Sequence, residues 1–361
     1  MPHALKIGFV LAAFAAATAA QDPSLLALGG LDPVRLGEGK EVAGDPGITA
    51  QHYLYLYRFI DATSRERFLS DPERYGIQMG GGCGRMGPAS GKGDPERFAV
   101  HDGRIYLFAS DACRTGFLKR PELFLDPDEK PATGDAAASR RAGELLDAAE
   151  KAHGIARLRA ARALRLTRIE NTKVDGGERE DGRRETIRFP GDVRVESWWG
   201  PSRFIEVDAA AGSFEINSKG ESTTRHATAS RDVRRSLSRR PLLLLRERGK
   251  PGFVAFRSGE GKVGADVVEF VTISYDGMTT TLGVDPKSGT ILSARHRARG
   301  RQYWFVDAER RFLDHRDVGG VRFPFRIETI YEGQEDAKAV AGWTAIELDP
   351  DGAADEFRRP R

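Results

Sequence analysis

HYLYLYRFIDATSRERFLSDPERY, residues 52–75, and HDGRIYLFASDACRTGFLKRPELF, residues 101–124, are two versions of one pattern. Shifting the first forward by 49 residues lays it on the second without a gap. Eight of 24 positions are then identical: His52/His101, Tyr57/Tyr106, Phe59/Phe108, Arg65/Arg114, Phe68/Phe117, Leu69/Leu118, Pro72/Pro121 and Glu73/Glu122. In each unit an aromatic run, Tyr53–Ile60 or Ile105–Ala109, predicts a strand. A polar cluster, Asp61–Ser64 or Ser110-Asp111, then starts a helix whose buried face carries Phe68 and Leu69, or Phe117 and Leu118, with Pro72 or Pro121 near its end.

Between the units lies Gly76–Gly93, GIQMGGGCGRMGPASGKG, which places Cys83 between Met79 and Met86. Its Gly82-Cys-Gly84-Arg-Met-Gly87 string is not a dinucleotide loop, because no buried strand precedes it and no helix follows to hold a pyrophosphate. Three readings remain. The thioether and thiol donors Met79, Cys83 and Met86 suit copper(I) or another soft metal, with His52, His101 and Cys113 as further ligands if the units pack face to face. Cys113 alone, in the first turn of a helix, is a candidate reactive thiol. A Cys83–Cys113 disulfide closes a loop of about 30 residues, worth about 3–4 kcal/mol, and is preferred because it needs no ligand.

Past the repeat, Asp126–Asp135 is charged, contains two prolines and has no apolar residue larger than alanine, the composition of a linker (126–137). Ala136 to about Ala163 reads as two helical pieces broken at His153-Gly154. The remainder reads as strands: Glu185–Phe189, Val193–Trp199, Arg203–Val207, Ser213–Asn217, Gly252–Arg257, Asp266–Tyr275, Met278–Val284, Thr290–Ala298, Gln302–Asp314, Val321–Tyr331 and Ala339–Leu348. Asp276-Gly277 signals a two-residue hairpin, while Asp285–Gly289 and Asp317–Gly320 read as longer turns. Short polar turns imply an antiparallel meander. In Val321–Glu328 apolar and polar residues alternate, which buries one face, and Pro324 calls for an edge or a bulge.

At the start of the chain, Lys6 precedes the apolar run Ile7–Ala20, which ends in small residues as a signal peptide does (1–20), with cleavage near Ala20. The run is shorter than the roughly 20 residues a spanning helix needs. An exported, periplasmic or secreted protein that does not span the membrane is expected. With 56 basic against 53 acidic side chains in 361 residues, the balance gives no reason to expect a nucleic-acid partner. The basic cluster Arg231–Lys250 is one that an acidic partner or membrane surface could use, but the preferred reading is a solvated helix face beside Leu242–Leu245. No Ser/His/Asp arrangement, HExxH or CxxC is present, so no catalytic residue is assigned.

Leu28-Gly-Gly-Leu-Asp-Pro-Val34, Gly44, His52–Tyr75, Gly80-Gly-Gly-Cys83 and His101–Cys113 resemble the YHS domain family over about residues 28–125. That resemblance implies a small α/β module (21–125) of a kind suspected of binding heavy metals. The family's usual cysteine pair is broken here, with Ala109 at its first position and Cys113 at its second, so metal binding would need Cys83 or His101 as a substitute. From Glu144 onward, Ala152-His-Gly154, Tyr275-Asp-Gly277, Gly283-Val-Asp-Pro286, Gly289, Asp314–Asp317 and Gly320–Pro324 are similar to the lipoprotein-carrier-like (LolA-like) superfamily. This second resemblance implies a curved antiparallel half-barrel (138–361) closed by helices, with an apolar concavity for acyl chains or a partner's lipid. Helix Pro241–Arg246 would be its lid, with Leu242, Leu243, Leu244, Leu245, Phe323, Phe325 and Trp304 as pocket residues. The expected class is α+β, and the expected function is non-catalytic binding of a hydrophobic ligand or a lipoprotein or envelope partner. Soft-metal binding through the first module is the rival.

Overall fold

The computed structural model describes residues 25–175, 177–300, 303–332, 339–353 and 355–360; the expected signal peptide lies outside them. The 49-residue offset governs every element of the repeat. Strands Asp45–His52 and Tyr55–Phe59 and helix Ala62–Ser70 recur as Asp94–His101, Arg104–Phe108 and Asp111–Lys119. Even the register slip recurs, between Asp45 and Thr49 and between Asp94 and Phe98. The aromatic run predicted as one strand from Tyr53 is corrected: Tyr53-Leu54 is a hairpin turn, with His52 opposite Tyr55. Tyr53 is left-handed at φ 52°, as is Asp102 at φ 50° in the matching Asp102-Gly103 turn.

Each helix is capped from its own sequence. Asp61 Oδ1 accepts from the Ser64 N–H at 2.7 Å, and Ser110 Oγ from the Cys113 N–H at 3.2 Å. Phe68 and Phe117 are buried in the unit cores, whereas Leu69 and Leu118, predicted as buried, are about half exposed. Each helix is only nine residues long and turns a single ring inward, so the next position faces water.

Two seven-stranded antiparallel sheets form the second half, rather than one half-barrel sheet. The first runs Ala163–Val174, Gly177–Arg188, Asp192–Trp199, Ser202–Asp208, Phe214–Ile216 and Ser222–Thr224 in chain order. The second runs Val254–Val263, Asp266–Tyr275, Met278–Val284, Ile291–Arg299, Phe305–Val318, Val321–Tyr331 and Ala339–Gly342. The predicted strand Ala339–Leu348 is split between them. Trp343 N–H bonds to Phe325 O in the second sheet, Thr344 N–H bonds to Thr167 O in the first, and Ala345–Leu348 becomes the outer strand beside Ala163–Val174. Asp276-Gly277 makes the expected two-residue hairpin, and the predicted longer turn at Asp317–Gly320 is also a two-residue one, with Gly319 and Gly320 both at positive φ. Pro324 lies beyond the reach of Ala339–Gly342, which pairs only with Arg326–Thr329; on its other side it pairs with His315, next to Asp314 at φ 52°.

Both sheets share one core with helices Ala136–His153, Ile155–Ala160 and Pro241–Arg246. Among the described residues no helix is long and apolar enough to cross a membrane. The long helix is fixed at its C-terminus. His153, almost wholly buried, receives the Ile291 N–H on Nε2 at 3.0 Å, which leaves Nδ1–H to donate to Arg322 O at 2.7 Å. Gly154 follows in the left-handed region, φ 66°, and a Cβ there would stand 2.0 Å from Gly320 O.

The linker is docked, and the basic cluster is not a solvated face. Arg235 is buried and bonds Asp126 at 2.8 Å; Arg239 reaches the same carboxylate at 3.0 Å. Further along, Glu129 N–H bonds Gly277 O and Ala132 N–H bonds Ser274 Oγ. Arg235 also pairs with Asp128 at 2.5 Å, so the charges that looked like a surface feature are used to hold Asp126-Pro-Asp128 against the second half.

Burial lowers the pKa of His153, and brings His296 down to about 3 and His315 down to about 4. The unfolded chain takes up these protons near pH 6.5 and the folded one only well below it. Stability is therefore complete above about pH 6.5 and falls as pH drops from there toward 4. Equilibrium denaturation across that range checks it, and a midpoint flat from pH 7 to 4 contradicts it. His153→Ala is expected to cost roughly 2–4 kcal/mol, because it leaves the buried Ile291 N–H and Arg322 C=O without partners.

Candidate functional site

An apolar cavity of about 230 Å³ opens between helix Pro241–Arg246 and the two sheets. Leu242 and Leu243 form one wall, Leu164 and Leu166 of the first sheet another, and Phe312, Phe323 and Trp343 the floor. The geometry follows from sequence. Pro241 at the first helical position sets the helix start, and the alternation of Val321–Glu328 turns Phe323 inward.

Of the predicted pocket residues, Leu242, Leu243 and Phe323 line this cavity. Leu244, Leu245 and Phe325 are buried in the surrounding core without lining it. Trp304 is a correction: it packs on the core of the second repeat unit, with Cys83, Phe117 and Phe124. Trp343 takes the place expected for it, because the chain crosses from one sheet to the other at that residue.

Two arginines lie at the cavity: Arg240, read from sequence as part of the basic cluster, and Arg310, which was not singled out. Arg240 pairs with Glu185 at 2.5 Å, and Arg183 bonds the same carboxylate at 2.7 Å. Burial disfavours the Glu185 anion, but Arg240 and Arg183 more than reverse that and bring its carboxyl down to about 2. Arg310 has no hydrogen bond or ion pair to a described residue. Burial, with Arg240 and Arg239 nearby, pushes it down to about 10, so it remains a cation at neutral pH. Period-two reading from Phe312 places Arg310 on the inward face, which is the signal that could have found it.

The cysteines meet without a bond. Both are buried free thiols in one cluster with Phe108, Phe117 and Phe124, and the expected bridge is absent from the structure. Burial pushes the Cys113 thiol up; Ser110, Cys83 and Arg85 outweigh it and hold the thiol below its usual range. Met79 and Met86 pack on the same cluster. His52 and His101 do not join them: His52 lies edge-on to Phe68, and His101 to Phe117. Among the described residues no group of three His, Cys, Asp or Glu ligands gathers at the cysteines, and of the soft-metal set the four sulfur residues share one cluster.

A larger cleft, about 650 Å³, separates the repeat from the second half and is lined by charges of both signs, including Glu73, Asp126, Arg104, Arg231 and Arg299. Its apolar residues, Met79, Phe124, Leu125 and Phe305 among them, are interspersed with these charges, unlike the mostly apolar lining of the smaller cavity.

No protein-family model matches the chain, and no curated protein does. Among solved structures it is similar to a DUF1329 family protein from Desulfovibrio piger, at 8% identity over 60% of this chain and 97% of the other, TM-score 0.40. A LolA superfamily protein from Nitrosomonas europaea gives 9% identity, the same two coverages and a TM-score of 0.34. Likeness at these scores carries no argument, and the functional reading rests on the cavity.

Thiol counting checks the cysteine geometry. Two thiols per chain are expected under reductant, and none after mild oxidation of the folded protein, since both lie in one buried cluster. Two thiols persisting in oxidant would show that the pair cannot reach bonding geometry.

Proposed function

We propose that the chain is a non-catalytic, exported protein that holds the acyl chain of an anionic amphiphile, free or carried by an envelope partner, between helix Pro241–Arg246 and the sheets. The observation that carries this reading is an apolar cavity with a cation in its wall: Arg310 makes no hydrogen bond or ion pair to a described residue, and Glu185, the carboxylate that acts on it, is already held by Arg240 and Arg183. A buried charge is costly unless paired, and a carboxylate or phosphate head would pair it while the tail takes the space lined by Leu242, Leu243 and Phe323. The cavity is smaller than the roughly 300–1,000 Å³ usual for ligand sites, so a long chain requires the leucine helix to shift. Its ends are held by polar contacts, Arg240 to Glu185 and Arg159 to Leu245 O at 2.8 Å, which can part without breaking a sheet.

Titration with a fluorescent long-chain fatty acid tests the reading. Saturable 1:1 binding is expected, lost in Leu243→Asp and weakened roughly tenfold or more in Arg310→Met. The matching fatty alcohol should bind both wild type and Arg310→Met alike. Absence of saturable binding to the folded wild type would refute the proposal.

A further inference from the structure

A second site lies about the first repeat unit and owes nothing to the cavity. His52 ends strand Asp45–His52, Glu73 opens the short helix Pro72–Tyr75, and His226 arrives from the far half of the chain, one residue before helix Ala227–Ser238. One ligand atom from each lies within 4.8 Å of the others. His52 Nε2 stands 3.5 Å from Glu73 Oε1, yet it is buried and makes no hydrogen bond. Ligands held at 2.0–2.2 Å by a tetrahedral ion are about 3.3 Å apart, so His52 and Glu73 are already at near-coordinating separation. Side-chain rotation of the order of 1 Å brings in the third.

The surroundings hold these three groups in place. His52 lies against Tyr53 and Phe68, with ring centroids 4.4 and 5.9 Å away, and His226 lies 4.0 Å from the Tyr53 ring. Tyr53 Oη donates to Glu73 Oε1 at 3.4 Å, the kind of outer contact that orients a ligating carboxylate. His226 reaches the site over Gly80, where a Cβ would stand 2.3 Å from the His226 Cβ. The repeat contains its own control. His101 and Glu122 occupy the equivalent positions of the second unit, but His101 faces Asp102 and Glu122 faces Arg120, and among the described residues no third ligand joins them.

We infer that His52, Glu73 and His226 bind one divalent cation of the zinc class, tying the first repeat unit to the second half of the protein. Two imidazoles and a carboxylate are a nitrogen and oxygen set suited to zinc or cobalt(II), not to copper(I). Three protein ligands leave one tetrahedral position for water or an anion. Burial keeps His226 neutral, down to about 4, and His52 beside Glu73 holds that carboxyl below its usual range, so both groups are in their ligating forms at neutral pH.

The test uses the full, untagged, chelator-stripped chain titrated with zinc by calorimetry and with cobalt(II) by absorption. One ion per chain is expected, with a higher thermal midpoint and a cobalt spectrum free of thiolate charge transfer. His226→Gln and Glu73→Gln should each weaken binding roughly 100-fold, whereas His101→Ala should leave it unchanged. Far-ultraviolet dichroism and unfolding of the metal-free variants establish that they fold; should His226→Gln fail to, His52→Gln replaces it with the same expected loss. No 1:1 binding, a thiolate band, or undiminished binding in a folded His226→Gln or Glu73→Gln variant would overturn the inference.

Discussion

The neutral imidazole of His153 holds the second half of this protein in order. Its two nitrogens join the end of helix Ala136–His153 to the backbones of two different strands, and both bonds require one tautomer without a second proton. With Gly154 pressed on Gly320, the helix end can dock in one way only. The short helix that follows, Ile155–Ala160, then meets helix Pro241–Arg246, where Arg159 bonds the Leu245 carbonyl and Glu150. The leucine helix is thereby set over Phe323 and Arg310, and the cavity exists because that spacing is fixed. Chemistry at the cavity thus depends on a hydrogen-bonded node outside it.

The first half is governed by duplication, including a part that the alignment of residues 52–75 with 101–124 leaves out. Leu28-Gly29-Gly30 and Met79-Gly80-Gly81 trace the same left-handed path, with φ 56°, 61°, 87° in one and 54°, 63°, 81° in the other. That path brings Asp32 to Ser64 in the first unit, with the Ser64 hydroxyl donating to Asp32 at 2.6 Å in the core. In the second unit the corresponding loop brings Cys83 to Cys113. One copy fills its core with a charge-assisted hydrogen bond and the other with two thiols. The glycines are there for the turn, which is why the string imitates a phosphate loop without being one.

Much of the architecture was legible in sequence where period and turn chemistry act locally. The antiparallel meander followed from Asp276-Gly277, from the glycines at 319 and 320 and from the alternation at Val321–Glu328. The Asp102-Gly103 turn could have been carried back onto Tyr53-Leu54 through the repeat. Strand Ala163–Val174 was missed because Arg165, Arg168 and Lys173 hide its alternation among charges. Long-range pairing was not legible at all. Nothing local in Arg231–Arg239 says that its guanidinium groups hold an acidic linker a hundred residues earlier, nor that Arg310 and Leu243 share a cavity. The leucines of the pocket were found as a run, whereas Trp304 and Trp343 were exchanged, because which aromatic reaches a cavity is decided by where the chain crosses between sheets.

Arg310 and the leucines around it make the account specific: an apolar space with a cation that forms no ion pair to a described residue offers places for a tail and an acid from outside. Mass spectrometry under native conditions, on protein purified from an exporting host without detergent or organic solvent, asks this directly. The account predicts a population carrying one acidic lipid per chain, released on unfolding and absent from a folded Leu243→Asp variant. Folded wild-type protein that shows only the bare chain mass, and that stays bare after incubation with anionic lipid, would contradict it.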